Sequence, residues 1–201
     1  MARLVCPPWV GYLLLNPLRK LLENPDKILS QFVREGMIVL EPGCGMGYFT
    51  LPLARMVGPK GRVVAVEIQA EMLSVLERRA RKAGLLDRIE LRQAGAEGLG
   101  VEDLSGEVDF AAALHMVHEI PDQSSFFTEA WKALKVGGKL LVIEPRGHVS
   151  QDQFEQTMAT AEKIGFKPEP LSSKVGGRGA LLSKPYTSGN VNKTGQNREE
   201  S

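Results

Sequence analysis

The stretch "VLEPGCGMGYFT", Val39 to Thr50, constrains the fold more than any other part of this chain. It follows Gly36 as a short apolar run, 37–41, that reads as a buried strand bounded by turn signals. Gly43, Gly45 and Gly47 then interrupt any regular element, and residues 48–57 read as a helix that tolerates Pro52 near its start. A strand, a tight glycine turn and a helix N-terminus form a cradle in which backbone can approach a nucleotide-like ligand.

The remainder of the chain repeats the alternation. "GPKG" (58–61) is a turn, "RVVAVE" a second strand, and 71–83 a long helix closed by Gly84. "RIELRQ" is a third strand and "VDFAAAL" (108–114) a fourth, followed by a helix over 122–134. "KVGG" turns the chain into "KLLVIE", a fifth strand ending at Glu144. A helix over 151–164 and two weaker strands, near 166–171 and 178–183, complete the set. Strands alternating with helices of this length predict a parallel sheet covered on both faces. Before the first strand, Asn16-Pro17 and Asn24-Pro25 open two short helices, 17–22 and 25–33.

The residues around the glycines narrow the ligand. Dinucleotide enzymes use G-x-G-x-x-G, with a pyrophosphate at the helix start. Here the spacing is G-x-G-x-G, Tyr48 stands where the third glycine is expected, and Glu41 precedes the loop. A carboxylate beside a pyrophosphate would repel it. An acid there suits a ligand carrying an ammonium and a sulfonium, and S-adenosylmethionine (SAM) has both and no phosphate. Its ribose needs an acid at the end of the second strand, and Glu67 closes that strand about 20 residues past Gly47.

Four blocks, "VLEPGCGMGYFTLPLA", "GRVVAVEIQAEML", "VDFAAALHMVHEIPD" and "WKALKVGGKLLVIEP", resemble in order those of the class I SAM-dependent methyltransferases. They cover about Met37 to Pro145, and within the class the chain is most similar to small-molecule enzymes of the ubiquinone- and arsenite-methyltransferase type. The resemblance implies an α/β, Rossmann-like, doubly wound sheet of seven strands, mostly parallel with an antiparallel C-terminal hairpin and helices on both faces. It implies SAM as cofactor and S-adenosylhomocysteine as product. Carried over by position, Glu41, Gly43, Cys44, Gly45 and Gly47 line the methionine part, Glu67 takes the ribose and Ile68 packs on the adenine. Ala96 and Glu97 fall in the adenine-edge segment, and Leu114 and His115 lie where the fourth strand opens onto the cofactor. Related sequences often carry Asp just before the Ala-Glu pair, and this chain has Gly95 there. The usual contact to the adenine amine is therefore in question, with Glu97 as its candidate replacement.

Methyl transfer is an in-line displacement in which the protein mainly aligns donor and acceptor, so few residues need act chemically. The candidates for proton transfer are His115 and His118 in "LHMVHEIPD", beyond the carboxyl end of the fourth strand. Each has a plainer alternative, shaping the pocket or capping the following helix. Glu144 and His148, after the fifth strand, also lie toward the acceptor side. No third strong ligand recurs beside His118 at a recognisable spacing, so no metal is expected. Cys6 and Cys44 fall short of the three thiols that arsenite-binding sites generally use, and two cysteines make no disulfide framework. Both read as reduced, and the expected location is cytoplasmic.

A net charge of +1 gives no electrostatic footprint for nucleic acid. The fourth strand also lacks the Asn/Asp-Pro-Pro-aromatic ending of enzymes that methylate amide or base nitrogens. The expected partner is a small or medium organic acceptor. The apolar stretch 9–15 is too short to span a membrane or to form a typical signal core. Residues 1–35 read as a helical cap over the cofactor and acceptor pocket, 36–184 as the SAM-binding domain, and 185–201 as a disordered polar tail. Trp9 and Tyr12 in the cap either meet the acceptor or pack on the sheet, and Trp9 has a third option in a homodimer contact. Two other functions compete with transfer: a SAM-binding sensor or partner subunit without catalysis, and an NAD-dependent oxidoreductase. The second needs a glycine at Tyr48 and tolerates Glu41 poorly.

Overall fold

Strands and helices alternate as the periodicity predicts. The computed structural model describes Arg19 and residues 23–95, 98–171 and 177–186. Its helices are α1 (Pro25–Leu29), α2 (Thr50–Val57), α3 (Ala70–Lys82), α4 (Gln123–Ala133) and α5 (Gln151–Ile164). Its strands are β1 (Ile38–Pro42), β2 (Arg62–Glu67), β3 (Ile89–Gln93), β4 (Val108–Leu114), β5 (Leu134–Glu144), β6 (Lys167–Glu169) and β7 (Arg178–Ser183). They form one seven-stranded sheet in the order β3-β2-β1-β4-β5-β7-β6. The first five run parallel, and β7 pairs antiparallel with both β5 and β6. The expected sheet and hairpin are both present.

Alternation along the strands builds two cores. Val39, Val63 and Leu141 face one layer with Leu53 and Leu76, while Leu40, Val64 and Leu140 face the other with Phe127 and Phe166. Local chemistry sets the helix ends. The Asn24 side chain accepts from the Asp26 and Lys27 amides, and Ser150 and Gln153 form a reciprocal capping box at α5. At the other end of α3, the Leu85 amide returns to the Ala80 carbonyl around Gly84, which takes φ +65°.

Three boundaries differ from the expectation. α1 stops at Leu29 rather than 33: the chain turns there, with the Phe32 and Val33 amides both donating to the Leu29 carbonyl and the Arg34 guanidinium taking the free Ser30, Gln31 and Val33 carbonyls. α2 starts at Thr50 rather than 48, because the left-handed backbone of Gly45 and Gly47 carries the turn through Phe49. "KVGG" lies inside β5 instead of before it. Val108 pairs with Leu134 and Phe110 with Lys139, so the intervening residues bulge out, with Gly137 at φ +81°. The chain end supports this bulge: Gly137 and Lys184 exchange backbone hydrogen bonds of 2.7 Å (to the Lys184 carbonyl) and, through Gly138, 2.9 Å. The expected cap lies outside the described residues apart from Arg19 and 23–35, as does the expected tail from 187 onward. Among the described residues no helix is long and apolar enough to cross a membrane.

Gly47 shows why the loop is glycine-rich. It holds φ +83°, and a Cβ there would lie 2.3 Å from Leu76 Cδ1, on a side chain that is fully buried. Gly47→Ala is expected to destabilise the fold by about 2–4 kcal/mol, combining overpacking with left-handed strain. Urea denaturation of the two proteins checks this.

Candidate functional site

In the sheet order β1 lies between β2 and β4, and the chain leaves β1 toward one edge and β4 toward the other. Ligands of open α/β sheets collect at such a reversal, outside the carboxyl ends of the strands. Four side chains meet that description here: Glu67 at the end of β2, Glu41 near the end of β1, His115 just past β4 and Glu144 at the end of β5. They occupy adjacent strands.

The glycine loop is tied to β2. The Cys44 amide donates to the Val66 carbonyl at 3.1 Å, and the Gly45 amide donates to Glu67 Oε2 at 3.0 Å. The other oxygen, Glu67 Oε1, accepts from the Gln69 amide at 3.1 Å. Each carboxylate oxygen keeps further lone-pair capacity for a hydroxyl. Gly43 holds φ +68°, and a Cβ there would meet Met116 Cβ at 2.8 Å, so β4 and the loop approach closely at that point. Ile68, beside Glu67, is 48% exposed and offers an apolar face at the rim. Cys44 is buried, and burial, followed by the charges of Glu41 and Glu67, pushes its thiol well above the usual range. It stays protonated and inert.

Glu41 is only 2% exposed, and its Oε2 is buried with no hydrogen-bond partner. The Thr50 hydroxyl is likewise buried and unpartnered. Burial pushes the Glu41 carboxyl up to about 8; nearby Thr50 offsets part of this without closing a full hydrogen bond, and the Glu67 charge adds to it. Between the ordinary carboxyl value and about 8, only the folded chain keeps this proton. Its contribution to stability is therefore complete in acid, falls as pH rises through that window and levels off above about 8. The slope within the window is up to about 1.4 kcal/mol per pH unit. Glu41→Gln is expected to remove this decline, which chemical denaturation at pH 5, 6.5 and 8 of both proteins measures.

At the end of β4 the two histidines have different neighbours. His115 sits at φ +61°, the one left-handed non-glycine residue among those described, and its amide donates to the Ile143 carbonyl at 2.7 Å. Its Nε2 lies 2.5 Å from Glu23 Oε1, and its Nδ1 is buried without a partner. Glu23 also accepts from Arg19, whose guanidinium stacks 4.2 Å from the centre of the Tyr48 ring. The Tyr48 hydroxyl closes the circuit on the Glu23 carbonyl at 2.7 Å. Burial raises the Glu23 carboxyl, but the hydrogen bond and charge of His115, with Arg19, outweigh it and hold the group below its ordinary value.

His118 is bound differently. Its Nδ1 meets Glu144 Oε2, while Glu144 Oε1 accepts from the Val117 amide at 2.8 Å and the His118 amide at 3.3 Å. Glu144 is buried, so the imidazole is held by a fixed, fully engaged carboxylate. A proton on Nδ1 suits this contact, and Nε2 stands 3.9 Å from Glu119 Oε1. The His148 ring stands 6.0 Å away, edge to face.

The structure therefore brings Glu41, Gly43, Cys44, Gly45, Gly47, Glu67, Leu114, His115 and His118 to one sheet edge, with Ile68 at its rim. Ala96, Glu97, Cys6, Trp9 and Tyr12 lie outside the described residues. Two participants were not singled out from sequence, Glu23 and Thr50. A Glu one residue before an Asn-Pro cap carries no motif, and its contact with His115 spans 92 positions. Among the described residues no group of three His, Cys, Asp or Glu is placed to hold a metal ion.

Comparison with known proteins adds to this geometry. A family model described as "Methyltransferase domain" matches residues 33–192. A ubiquinone/menaquinone biosynthesis C-methyltransferase of Hahella chejuensis is 37% identical over 112 residues, 56% of this chain and 44% of that protein. One of the same name from Erwinia tasmaniensis is 29% identical over 143 residues, 71% of this chain and 55% of that protein. The chain thus spans about half the length of these curated relatives. Among solved structures, a SAM-dependent methyltransferase from Aquifex aeolicus superposes with a TM-score of 0.79 at 25% identity, over 90% of this chain and all of the other.

Proposed function

Since the chain belongs to the family of methyltransferase domains, we propose that it transfers the methyl group of S-adenosylmethionine to a small organic acceptor. The observation that carries this reading is Glu41, a deeply buried carboxyl with an unpartnered oxygen beside the glycine loop. A cationic ligand with hydrogen-bond donors gives that oxygen a partner and draws the proton off the group. A pyrophosphate would do the opposite, which disfavours a nicotinamide cofactor. At the other end of the loop, Glu67 offers lone pairs to a ribose diol while its amide bonds fix its position. The residues present fit SAM at both ends.

When bound, SAM would supply an electrophilic methyl on a sulfonium, open to in-line attack by an acceptor nucleophile with the thioether S-adenosylhomocysteine as leaving group. The chain's own work is to hold and align. The glycine loop brings backbone against the ligand, Glu41 and Glu67 grip it, and Ile68 covers its apolar face. Of the two histidines, we assign proton transfer to His118, whose Nε2 accepts the proton that an O–H, N–H or acidic C–H acceptor gives up. His115 serves as a positioning residue: it clasps Glu23, and its buried Nδ1 remains to accept a ligand's hydrogen bond. The names of the curated relatives support a small acceptor and methylation at carbon, and the near-neutral charge favours such an acceptor over nucleic acid. A reducing, cytoplasmic setting fits a sequence with two cysteines, of which Cys44 is a free buried thiol.

The test is incubation of purified protein with methyl-labelled SAM and a fractionated metabolite extract. Label recovered in one small-molecule fraction is the expected result. Label retained on the protein without transfer across every fraction would replace the proposal with a SAM-binding role, and no retention at all would end the SAM reading.

A further inference from the structure

Beyond Glu144 the chain passes through Pro145 to Arg146, and β7 begins with Arg178 directly across from Glu144 in the antiparallel register. Arg146 and Arg178 line a cleft of about 380 Å³ together with Gln151, Phe154, Gly177 and Gly179. Among the described residues no carboxylate lines it. Arg178 Nη1 donates to the Arg146 carbonyl at 3.5 Å, its Nε is buried with no acceptor, and neither guanidinium forms an ion pair with a described residue. Other described arginines find partners within the fold: Arg92 pairs with Asp103 and Glu90, Arg62 with Glu90 and Arg19 with Glu23, while Arg34, Arg79 and Arg88 donate to backbone carbonyls. Two cationic side chains that line one concavity with no ion-pair partner favour an anionic occupant. Their planar forks match the oxygen spacing of a carboxylate or phosphate, and buried Phe154 gives the cleft an apolar wall.

The cleft also adjoins the proton-transfer pair. Gly177 lies so close to Glu144 that a Cβ would stand 2.3 Å from the Glu144 carbonyl oxygen, leaving no room for a side chain. The turn that carries Arg146 also carries His148, whose ring faces His118, and is closed by the His148 and Val149 amides on the Pro145 carbonyl. Anion cleft and imidazole therefore hang from the same strand end.

We infer that this cleft binds an oxyanionic substituent, carboxylate or phosphate, of the acceptor whose reacting atom is presented to His118. The inference rests on the methyl-transfer reading of the His118 site. The acceptor is then an amphiphile, with an anionic group anchored by Arg146 and Arg178 and a nucleophilic atom turned toward the glycine loop.

The test follows the arginine side-chain N–H resonances by NMR as the full chain is titrated with sodium benzoate, with inorganic phosphate, and with sodium chloride at matched ionic strength. SAM binding is measured on the same samples by equilibrium dialysis. Benzoate or phosphate should shift the Arg146 and Arg178 signals saturably, chloride should not, and the anion that binds identifies the substituent. Arg146→Gln and Arg178→Gln should each weaken that anion about tenfold while leaving SAM affinity unchanged. Arg146 lies in an exposed turn, so its variant keeps the test valid if the β7 variant folds poorly. SAM binding without any oxyanion response, or a response that chloride reproduces or that both substitutions leave intact, overturns the cleft and spares the methyltransferase reading. An oxyanion response in a protein that does not bind SAM overturns the assignment to an acceptor.

Discussion

Glu67→Ala is expected to weaken SAM binding by about 100-fold or more. Its carboxylate does two things at once. It accepts the Gly45 amide from the loop and the Gln69 amide ahead of α3, and it offers its remaining lone pairs to the ribose. Alanine removes the ligand contacts and frees the loop, leaving two backbone amides to find water. Glu67→Gln separates the contributions, because it keeps one acceptor oxygen and presents an NH₂ to the second amide; a loss of about tenfold is expected. Equilibrium dialysis with labelled SAM measures both, and circular dichroism checks that the sheet is intact. Unchanged binding in Glu67→Ala would remove Glu67 from the ribose and relocate the ligand on the loop.

The second large effect concerns turnover. His118→Ala is expected to lower the rate of transfer about 10²- to 10⁴-fold with little change in SAM affinity, the range for loss of a positioned base. Glu144→Gln should fall in the same direction, because a glutamine cannot accept the Val117 amide, the His118 amide and the imidazole with the strength of a carboxylate. Added imidazole should restore part of the activity of His118→Ala and none of Glu144→Gln, a readout that a purely structural role would not give. His115→Asn serves as the contrast, since asparagine accepts the backbone conformation there and the site keeps its base. A His118→Ala variant that turns over normally would mean that the acceptor arrives already deprotonated.

Much of the framework was legible because it depends on local signals. Apolar runs named the five parallel strands, Asn24-Pro25 and Gly84 marked helix ends, and the glycine spacing with Glu41 and Glu67 pointed to one ligand class. What escaped depends on distant contacts. "KVGG" has the composition of a turn, yet Gly137 and Gly138 bulge within β5 because the chain end at Lys184 pairs back on them. Tyr48 and Phe49 have the right periodicity for α2, but the left-handed glycines before them delay its start. The different environments of His115 and His118 could not be read from a three-residue spacing, because one is decided by Glu23 and the other by Glu144, far away in sequence. Glu41 was recognised as an unusual acid for a phosphate site. That burial keeps it protonated near neutrality became visible only once its neighbours were placed.

The left-handed backbone at His115 has a consequence for anyone who randomises this site to change acceptor preference. At φ +61° the position filters candidates by shape before chemistry is tested. Glycine, asparagine and aspartate pass readily, whereas valine, isoleucine and threonine would distort the strand end that carries the neighbouring imidazole. A library saturated at residue 115 would thus be biased against β-branched members and toward glycine, asparagine and aspartate whatever activity was selected, each other residue carrying about 1–2 kcal/mol of backbone strain. Diversity is better spent at Met116 or on the Arg146 turn, where the main chain imposes no such sieve.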